Sequence, residues 1–327
     1  MSKAVSKNST NVRPLESDWR VRSARVGFRV LGAASPTLAA WCAERVFLSA
    51  RRFTRPDWER EILADAEAFT IPSPWGPLPA WSWGTGPAVL LVHGWEGRGS
   101  QLGRLVAPLL QRGLRVVTFD GPGHGDGPRV PTSIVDLSRA VTHVAERLGP
   151  LHGLVAHSVG GAATTLSFAH KRLATRLAFV APPHSAARYT QGFAQLFGMG
   201  EPTREGLVRR LEARYGIPME DLDTLRIAPR MRVPLFVAHD EDDKEVPVTA
   251  GRALADAWPG AQLLVTRGLG HRKILRAKEV VEAVVAFVAE DADASPRSSR
   301  GVWSELEAEL FFRERRWTGG SALRAAS

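Results

Sequence analysis

The sequence has little that would support a secreted or membrane-spanning protein. It holds one cysteine, Cys42, so no internal disulfide can form, and this fits a reducing compartment. Its longest uncharged apolar stretch, residues 30–43, is too short to span a bilayer and contains a proline. The first twenty residues lack the apolar segment that is typical of a secretory signal. We therefore expect a soluble cytoplasmic protein.

Acidic residues are scarce at the start of the chain. The formal net charge is +9, and residues 1–60 hold twelve Lys or Arg against five Asp or Glu. We favour a solvated basic surface, and weak contact with an anionic membrane surface stays open as an alternative. No nucleic-acid-binding signature accompanies the charge, so we expect no nucleic-acid partner. The sequence does not indicate an oligomeric state.

Short apolar runs bounded by glycine and proline dominate the middle of the chain. Residues 66–86 have the pattern of a strand pair, and residues 277–290 that of an amphipathic helix. Between them lie continuous apolar runs typical of strands buried on both faces: 88–95, 114–120, 151–158, 176–183, 233–240 and 261–266. Their alternation with helical patterns predicts an α/β fold, with a mostly parallel central sheet and helices on both faces.

The predicted organisation has five parts. Residues 1–60 form a basic arm with an amphipathic helix over 36–52. The core is divided into residues 61–183 and 233–290, which the segment 184–232 separates. Residues 291–327 begin as a polar linker and end in a short amphipathic helix with one apolar face, made of Trp303, Leu306, Leu310 and Phe311.

The segment 184–232 reads as two helices placed before the penultimate strand. Tyr189, Phe193 and Phe197 fall on one helical face of the first. We interpret the segment as a small helical cap over a pocket that these aromatic side chains line, although the same face could belong to the core.

Ser158 stands where a predicted buried strand gives way to a predicted helix, in the stretch AHSVGG. A nucleophilic serine needs this kind of sharp turn, with small residues two positions before and after it. Here these are Ala156 and Gly160, so the strict G-x-S-x-G pattern fails at its first position. The turn alone is therefore a weak signal.

A nucleophilic serine also needs a base, and an acid that orients the base. The last predicted strand leads into a glycine-bounded loop with His271, and the preceding strand leads into a loop with Asp240, Asp242 and Asp243. Both loops follow carboxyl ends of strands, as Ser158 does, so the three groups share one edge of the sheet. No His or Cys spacing supports a zinc site, and we predict neither a metal nor a cofactor.

Over residues 66–290 the chain resembles serine hydrolases of the α/β-hydrolase fold, an esterase- and lipase-like superfamily. The resemblance rests on HGW (93–95), DGPGHG (120–125), AHSVGG and DKEVP ahead of GLGH, in this order. In this fold the acid commonly lies three residues before a Val-Pro pair, which implies Asp243; Asp240 is the second candidate. The oxyanion hole implied is the backbone amides of Trp95 and Val159, and the Trp95 ring would wall the acyl pocket.

The function expected from this resemblance is cleavage of a carboxylic ester or thioester with a small to medium apolar acyl group, through an acyl-enzyme on Ser158. The same three residues serve C–C hydrolysis, peptide cleavage and acyl transfer, and sequence does not separate these reactions. A third interpretation is a catalytically idle scaffold whose basic arm binds a membrane or a partner.

Overall fold

The computed structural model describes residues 19–290, which contain one eight-stranded sheet. The strand order is β1-β2-β4-β3-β5-β6-β7-β8. The strands are β1 Glu67–Ile71, β2 Leu78–Trp83, β3 Ala88–Val92, β4 Arg115–Phe119, β5 Leu151–His157, β6 Ala174–Val180, β7 Leu235–Asp240 and β8 Gln262–Thr266. The predicted tail from residue 291, with its short helix, and the first eighteen residues lie outside the described residues.

Strand direction follows the predicted pattern. The hairpin β1–β2 pairs antiparallel with β4, and the six strands from β4 to β8 in sheet order are parallel to one another. All residues of β3 and β7 are buried, because helices cover both faces of a parallel sheet. The predicted α/β class with a mostly parallel sheet is confirmed.

Helices precede the first strand, occupy most of the connections from β3 to β8, and follow the last strand. They are α1 Trp19–Ala34, α2 Pro36–Phe47, α3 Asp57–Ala64, α4 Val106–Leu110, α5 Ile134–Leu148, α6 Val159–Phe168, α7 Ala186–Leu196, α8 Glu201–Tyr215, α9 Thr224–Ile227, α10 Val248–Ala257, α11 Gly270–Lys273 and α12 Lys278–Ala289. The predicted helix over 36–52 ends at Phe47, and α1 precedes it where the sequence predicted only a basic arm. No helix within residues 19–290 is long and apolar enough to cross a membrane.

The chain divides into two compact units. The smaller unit joins the N-terminal helices α1 and α2, up to Phe47, with Ala187–Arg214, which covers most of α7 and α8. Of the described residues, the larger unit holds Leu48–Ala186 and residues 215–290, and so contains the whole sheet. Helices α1 and α2 of the predicted arm therefore share one unit with most of α7 and α8 of the predicted cap, whereas α3 and α9 belong to the larger unit.

Apolar side chains on both faces of the sheet form the core of the larger unit. On one face of the sheet, Leu91, Val155 and Phe236 pack with α12 and with the segment around α4. On the other face, Leu137 of α5 packs with Val159 and Ala163 of α6. This layered burial holds the carboxyl ends of β3, β5, β7 and β8 in fixed positions, and the loops that carry the predicted site start there.

A buried ion pair ties α3 to the loop that follows β3. The carboxylate of Glu59, which is 2% exposed, accepts hydrogen bonds from Arg98 Nε at 2.6 Å and Arg98 Nη2 at 2.7 Å. Ser100 Oγ donates a third at 2.6 Å. A buried charge without its partner is strongly destabilising, so Glu59 and Arg98 must stay in contact. The ion pair therefore fixes the position of the loop relative to α3.

Replacing Glu59 by Ala should lower the free energy of unfolding by about 3–5 kcal/mol, since the Arg98 guanidinium would be left buried without its counter-charge. Urea denaturation measures the change. Glu146→Ala removes the exposed ion pair with Lys171 and should change stability by less than about 1 kcal/mol. Equal losses in the two variants would contradict the structural role given to Glu59.

Candidate active site

The predicted nucleophile lies in a strained turn. Ser158 sits between the last residue of β5 and the first of α6, with φ of 52° and ψ of −129°. Residues other than glycine rarely adopt positive φ, and such strain is often found at functional positions. The backbone N–H of Ser158 donates to Val180 O at 2.9 Å, which holds the turn against β6.

Glycines allow the surrounding backbone to close on this turn. A Cβ at Gly160 would lie 2.4 Å from the carbonyl oxygen of His93, and one at Gly94 would lie 2.8 Å from Ser158 Cβ. Both distances are far below van der Waals contact, so only glycine fits at these two positions. The loop after β3 and the first turn of α6 therefore meet at Ser158.

A chain of short hydrogen bonds connects Ser158, His271 and Asp243. Ser158 Oγ lies 3.0 Å from His271 Nε2, and His271 Nδ1 lies 2.7 Å from Asp243 Oδ2. The three residues follow the ends of β5, β8 and β7 and are 5%, 8% and 8% exposed. A carboxylate accepts from Nδ1–H, so Nε2 carries the lone pair that can accept the serine proton.

Further hydrogen bonds hold the carboxylate of Asp243. Its Oδ1 accepts from the backbone amides of Glu245 and Val246, each at 2.8 Å. Burial by itself would raise the pKa of Asp243, but hydrogen bonds from His239 and His271 and from the Val246 amide outweigh it. The net result is a pKa well below the ordinary value, so this group is a carboxylate at neutral pH.

Asp240, the second candidate for the acid, holds the backbone of residues 267–273, which follow β8, include the short helix α11 and carry His271; we call this segment the histidine loop. Its Oδ1 accepts from the amide of Gly270 at 2.8 Å, and its Oδ2 accepts from Leu269 N at 3.1 Å and Thr266 Oγ1 at 2.8 Å. Burial opposes its charge, but these hydrogen bonds still lower the pKa of Asp240. The buried side chain thus fixes the two residues that directly precede His271.

His157, which directly precedes Ser158, contacts the histidine loop. Its Nε2–H donates to the carbonyl oxygen of His271 at 3.0 Å, and the two ring centroids lie 4.7 Å apart. Burial lowers the pKa of His157 to about 3, so the ring is neutral and acts as a fixed donor. A histidine directly before a candidate nucleophile was the available sequence signal.

Two more histidines stabilise the loops around Trp95. His93 Nδ1–H donates to Gly94 O at 2.8 Å, while its Nε2 accepts from the amide of Gly121 at 2.9 Å. Burial lowers the pKa of His93 to about 4 and that of His124 to about 3. The His124 ring contacts the Trp95 ring edge-on, with centroids 5.0 Å apart. Both histidines therefore hold loops in place as neutral rings.

The predicted oxyanion donors border the same turn. Val159 is the first residue of α6, so its amide has no acceptor within the helix and is one of the donors that helix geometry leaves over. Trp95 follows Gly94, the residue in close approach to Ser158. Within residues 19–290, no group of three or more His, Cys, Asp or Glu side chains is arranged to hold a metal ion.

The aromatic residues predicted to line a pocket belong to different units. Trp95 lies in the larger unit, whereas Tyr189, Phe193 and Phe197 lie in the smaller. Inside the smaller unit, the Phe193 ring contacts Phe47 of α2 at 5.1 Å and Phe197 at 4.8 Å, and Phe197 contacts Phe28 of α1 at 5.8 Å. Two of these rings thus form a partly buried aromatic cluster with Phe28 and Phe47 of the N-terminal helices, and pocket lining remains a prediction.

A left-handed serine turn at the carboxyl edge of this mostly parallel sheet is the architecture of α/β hydrolases. The sequence agrees, because the model of the alpha/beta hydrolase family matches residues 89–283. The chain therefore belongs to the alpha/beta hydrolase family.

Three individual proteins that this chain resembles share less than a third of their aligned residues with it. A pimeloyl-[acyl-carrier protein] methyl ester esterase of Chromobacterium violaceum is 27% identical over 59% of this chain and 90% of its own length. The sn-1-specific diacylglycerol lipase ABHD11 of Mus musculus is 31% identical over 43% of each chain. The structure of Est1E from Butyrivibrio proteoclasticus superposes with a TM-score of 0.55 at 17% identity, covering 70% of this chain and 99% of that one. This last likeness is one of fold alone.

Gly160→Ala should destabilise the protein by about 1–3 kcal/mol and impair the site, because the new Cβ would overlap the carbonyl of His93. The matched control is Gly192→Ala, a helical glycine of α7 with open space around it. That variant should be unchanged or up to about 1 kcal/mol more stable, given alanine's helix propensity. Thermal unfolding compares the two. Equal stability would contradict the close approach at Gly160.

The buried, neutral rings of His93, His124 and His157 should make the free energy of unfolding depend on pH. In the unfolded chain their pKa is near 6.5, whereas in the folded protein it is about 4 for His93 and about 3 for His124 and His157, so between about pH 3 and 6.5 the unfolded state binds more protons than the folded state. Stability is therefore fully present above this window and is lost as the pH falls through it, by up to about 1.4 kcal/mol per pH unit for each histidine.

His157→Gln tests this dependence, since glutamine can still donate to His271 O but does not titrate. The slope of unfolding free energy against pH between 5 and 6 should decrease by about 1.4 kcal/mol per pH unit. Urea denaturation across that range measures it. An unchanged slope would show that His157 is protonated in the folded protein.

Proposed function

We propose that this protein is a serine hydrolase that cleaves carboxylic esters or thioesters of small to medium apolar acyl groups through an acyl-enzyme. The observation that carries the proposal is the hydrogen-bonded order of Ser158, His271 and Asp243, with the serine in a left-handed turn. The names of two relatives, a methyl ester esterase and a diacylglycerol lipase, support an ester as the substrate.

In the first half of the reaction, Ser158 Oγ attacks the acyl carbon while His271 Nε2 takes its proton. Asp243 keeps the other ring proton on Nδ1 and stabilises the imidazolium that forms. The negative charge on the substrate oxygen is met by the amides of Trp95 and Val159. Preorganised donors of this kind supply several kcal/mol of barrier reduction.

Collapse of the tetrahedral intermediate breaks the bond to the alcohol or thiol, which leaves with the proton from His271. A water molecule then attacks the acyl-Ser158 ester with His271 again as base, and the acid product departs. The low pKa of Asp243 suits this cycle, because the residue must stay a carboxylate while the neighbouring ring gains and loses a proton. We assign the Trp95 ring to one wall of the acyl pocket.

Asp240 is a positioning residue in this proposal. Its hydrogen bonds to the amides of Leu269 and Gly270 set the backbone from which the His271 ring projects. His157 supports the same loop from β5 through the carbonyl of His271. Base and nucleophile are thus held at hydrogen-bond distance by groups that take no part in proton transfer.

Ser158→Ala and Asp243→Asn should each lower kcat for p-nitrophenyl butyrate by about 10⁴-fold or more, with KM little changed. Without the Ser158 hydroxyl no acyl-enzyme forms. Without the Asp243 carboxylate the His271 imidazole is no longer held with its proton on Nδ1, so Nε2 is no longer kept free to act as the base. Initial rates over a range of substrate concentrations provide the readout.

The matched control is Glu241→Gln, which neutralises an acid of the same loop that pairs with the surface residues Arg252 and Arg267. Its kcat should equal that of the wild type. Full hydrolysis by folded Ser158→Ala protein would refute the mechanism. A loss in the control as large as in Asp243→Asn would refute the assignment of the acid.

A further inference from the structure

Exposed large apolar side chains are concentrated in the smaller unit. Within residues 19–290, the larger unit exposes one such residue, Phe53, although it contains the whole sheet. The smaller unit, with far fewer described residues, exposes Trp19, Val26, Val30, Leu38, Trp41, Val46 and Tyr189. Contiguous exposed apolar surface on a protein usually marks a binding surface.

In α1 the exposed apolar residues form a stripe. Trp19, Val26 and Val30 are 66%, 61% and 66% exposed. At 3.6 residues per turn the three residues fall within an arc of about 40° around the helix axis, and they span roughly 16 Å along it. Phe28 lies on the opposite side, where it is buried and contacts the Phe197 ring beyond α7. The stripe is therefore the face of α1 that its own unit does not cover.

Basic residues flank this stripe. α1 contains Arg20, Arg22, Arg25 and Arg29 and no acidic residue. Arg22 and Arg29 lie on one side of the stripe and Arg20 on the other, and all three are exposed. Arg25 points toward α7, where its Nη2 donates to Gln195 O at 2.9 Å. The face thus combines a central apolar row with cationic edges.

α2 repeats this composition. Leu38, Trp41 and Arg45 lie on one exposed face, with the Arg45 guanidinium 4.5 Å from the Trp41 ring centroid. The opposite face is buried, and its one acid, Glu44, pairs inside the unit with Arg210 at 2.6 Å and Arg214 at 2.7 Å. Both N-terminal helices therefore expose tryptophan and aliphatic residues together with arginine.

We propose that the exposed faces of α1 and α2 are a docking surface for membranes rich in anionic phospholipid. Tryptophan and aliphatic side chains would enter the boundary between headgroups and acyl chains, while guanidinium groups would pair with lipid phosphates. A second copy of this chain fits the surface poorly, because it would bring together two arginine-rich surfaces that expose no acid on α1. The proposal does not depend on the catalytic one.

The test is co-sedimentation of the full chain with vesicles of phosphatidylcholine alone and of phosphatidylcholine mixed with phosphatidylglycerol. Binding should require the anionic lipid and should weaken as the salt concentration rises, since the charges are exposed. The Ser158→Ala protein should bind like the wild type, which separates docking from lipid hydrolysis. Binding that is equal on both kinds of vesicle, or absent from both, would overturn the proposal.

Two sets of variants locate the surface. Arg22→Gln with Arg29→Gln should weaken partitioning into anionic vesicles by about tenfold or more, and Trp19→Ser with Val26→Ser and Val30→Ser should do the same. The charge-matched control, Arg252→Gln with Lys278→Gln, removes two exposed cations from the larger unit and should have little effect. An equal loss in the control would mean that net charge alone causes binding, and would refute the site.

Two other occupants give distinct results. If a second copy covers the face, the wild type would be a dimer that the Trp19, Val26 and Val30 serine variant converts to a monomer in analytical ultracentrifugation. If the chain's own residues 291–327 cover it, vesicle binding would occur only after their deletion. Either outcome overturns the proposal. A monomeric wild type that binds anionic vesicles as a full chain supports it.

Discussion

The left-handed turn at Ser158 is the constraint on which the rest of the site depends. It needs a residue with positive φ between β5 and α6, glycine at position 160 against the carbonyl of His93, and glycine at position 94 against the serine itself. These requirements bring α6 and the loop after β3 together at one point. In the proposed mechanism the amides on both sides of that point are the oxyanion donors, so the same contact sets nucleophile and donors at once.

Buried polar groups that take no part in the proposed chemistry hold the loops around this turn. His93 bonds the loop after β3 to the loop after β4, and Asp240 bonds the β7 end to the histidine loop. His157 adds a donor to the carbonyl of His271. Because burial lowers the pKa of His93, His124 and His157 and keeps these rings neutral at physiological pH, their hydrogen bonds keep one direction, and the loops keep one arrangement.

Much of the sheet could be predicted because strands buried on both faces are continuous apolar runs, and the edge shared by Ser158, Asp243 and His271 follows from parallel strands. Helix α1 could not be predicted from the sequence, because its apolar residues at positions 19, 26 and 30 face outward. Among its side chains only Phe28 is buried. The structural role of Asp240 could not be predicted from the sequence either, since it bonds to backbone amides about thirty residues away. Contacts of this range depend on how loops meet, which periodicity does not encode.

Activation of Ser158 by His271 is the central claim. Reaction of the native protein with a fluorophosphonate probe, followed by peptide mass spectrometry, tests it most directly. We predict a single label on Ser158 and labelling about a hundredfold or more slower in His271→Ala, because the general base is lost. No label on the folded wild type, or equal rates in the two proteins, would contradict the claim.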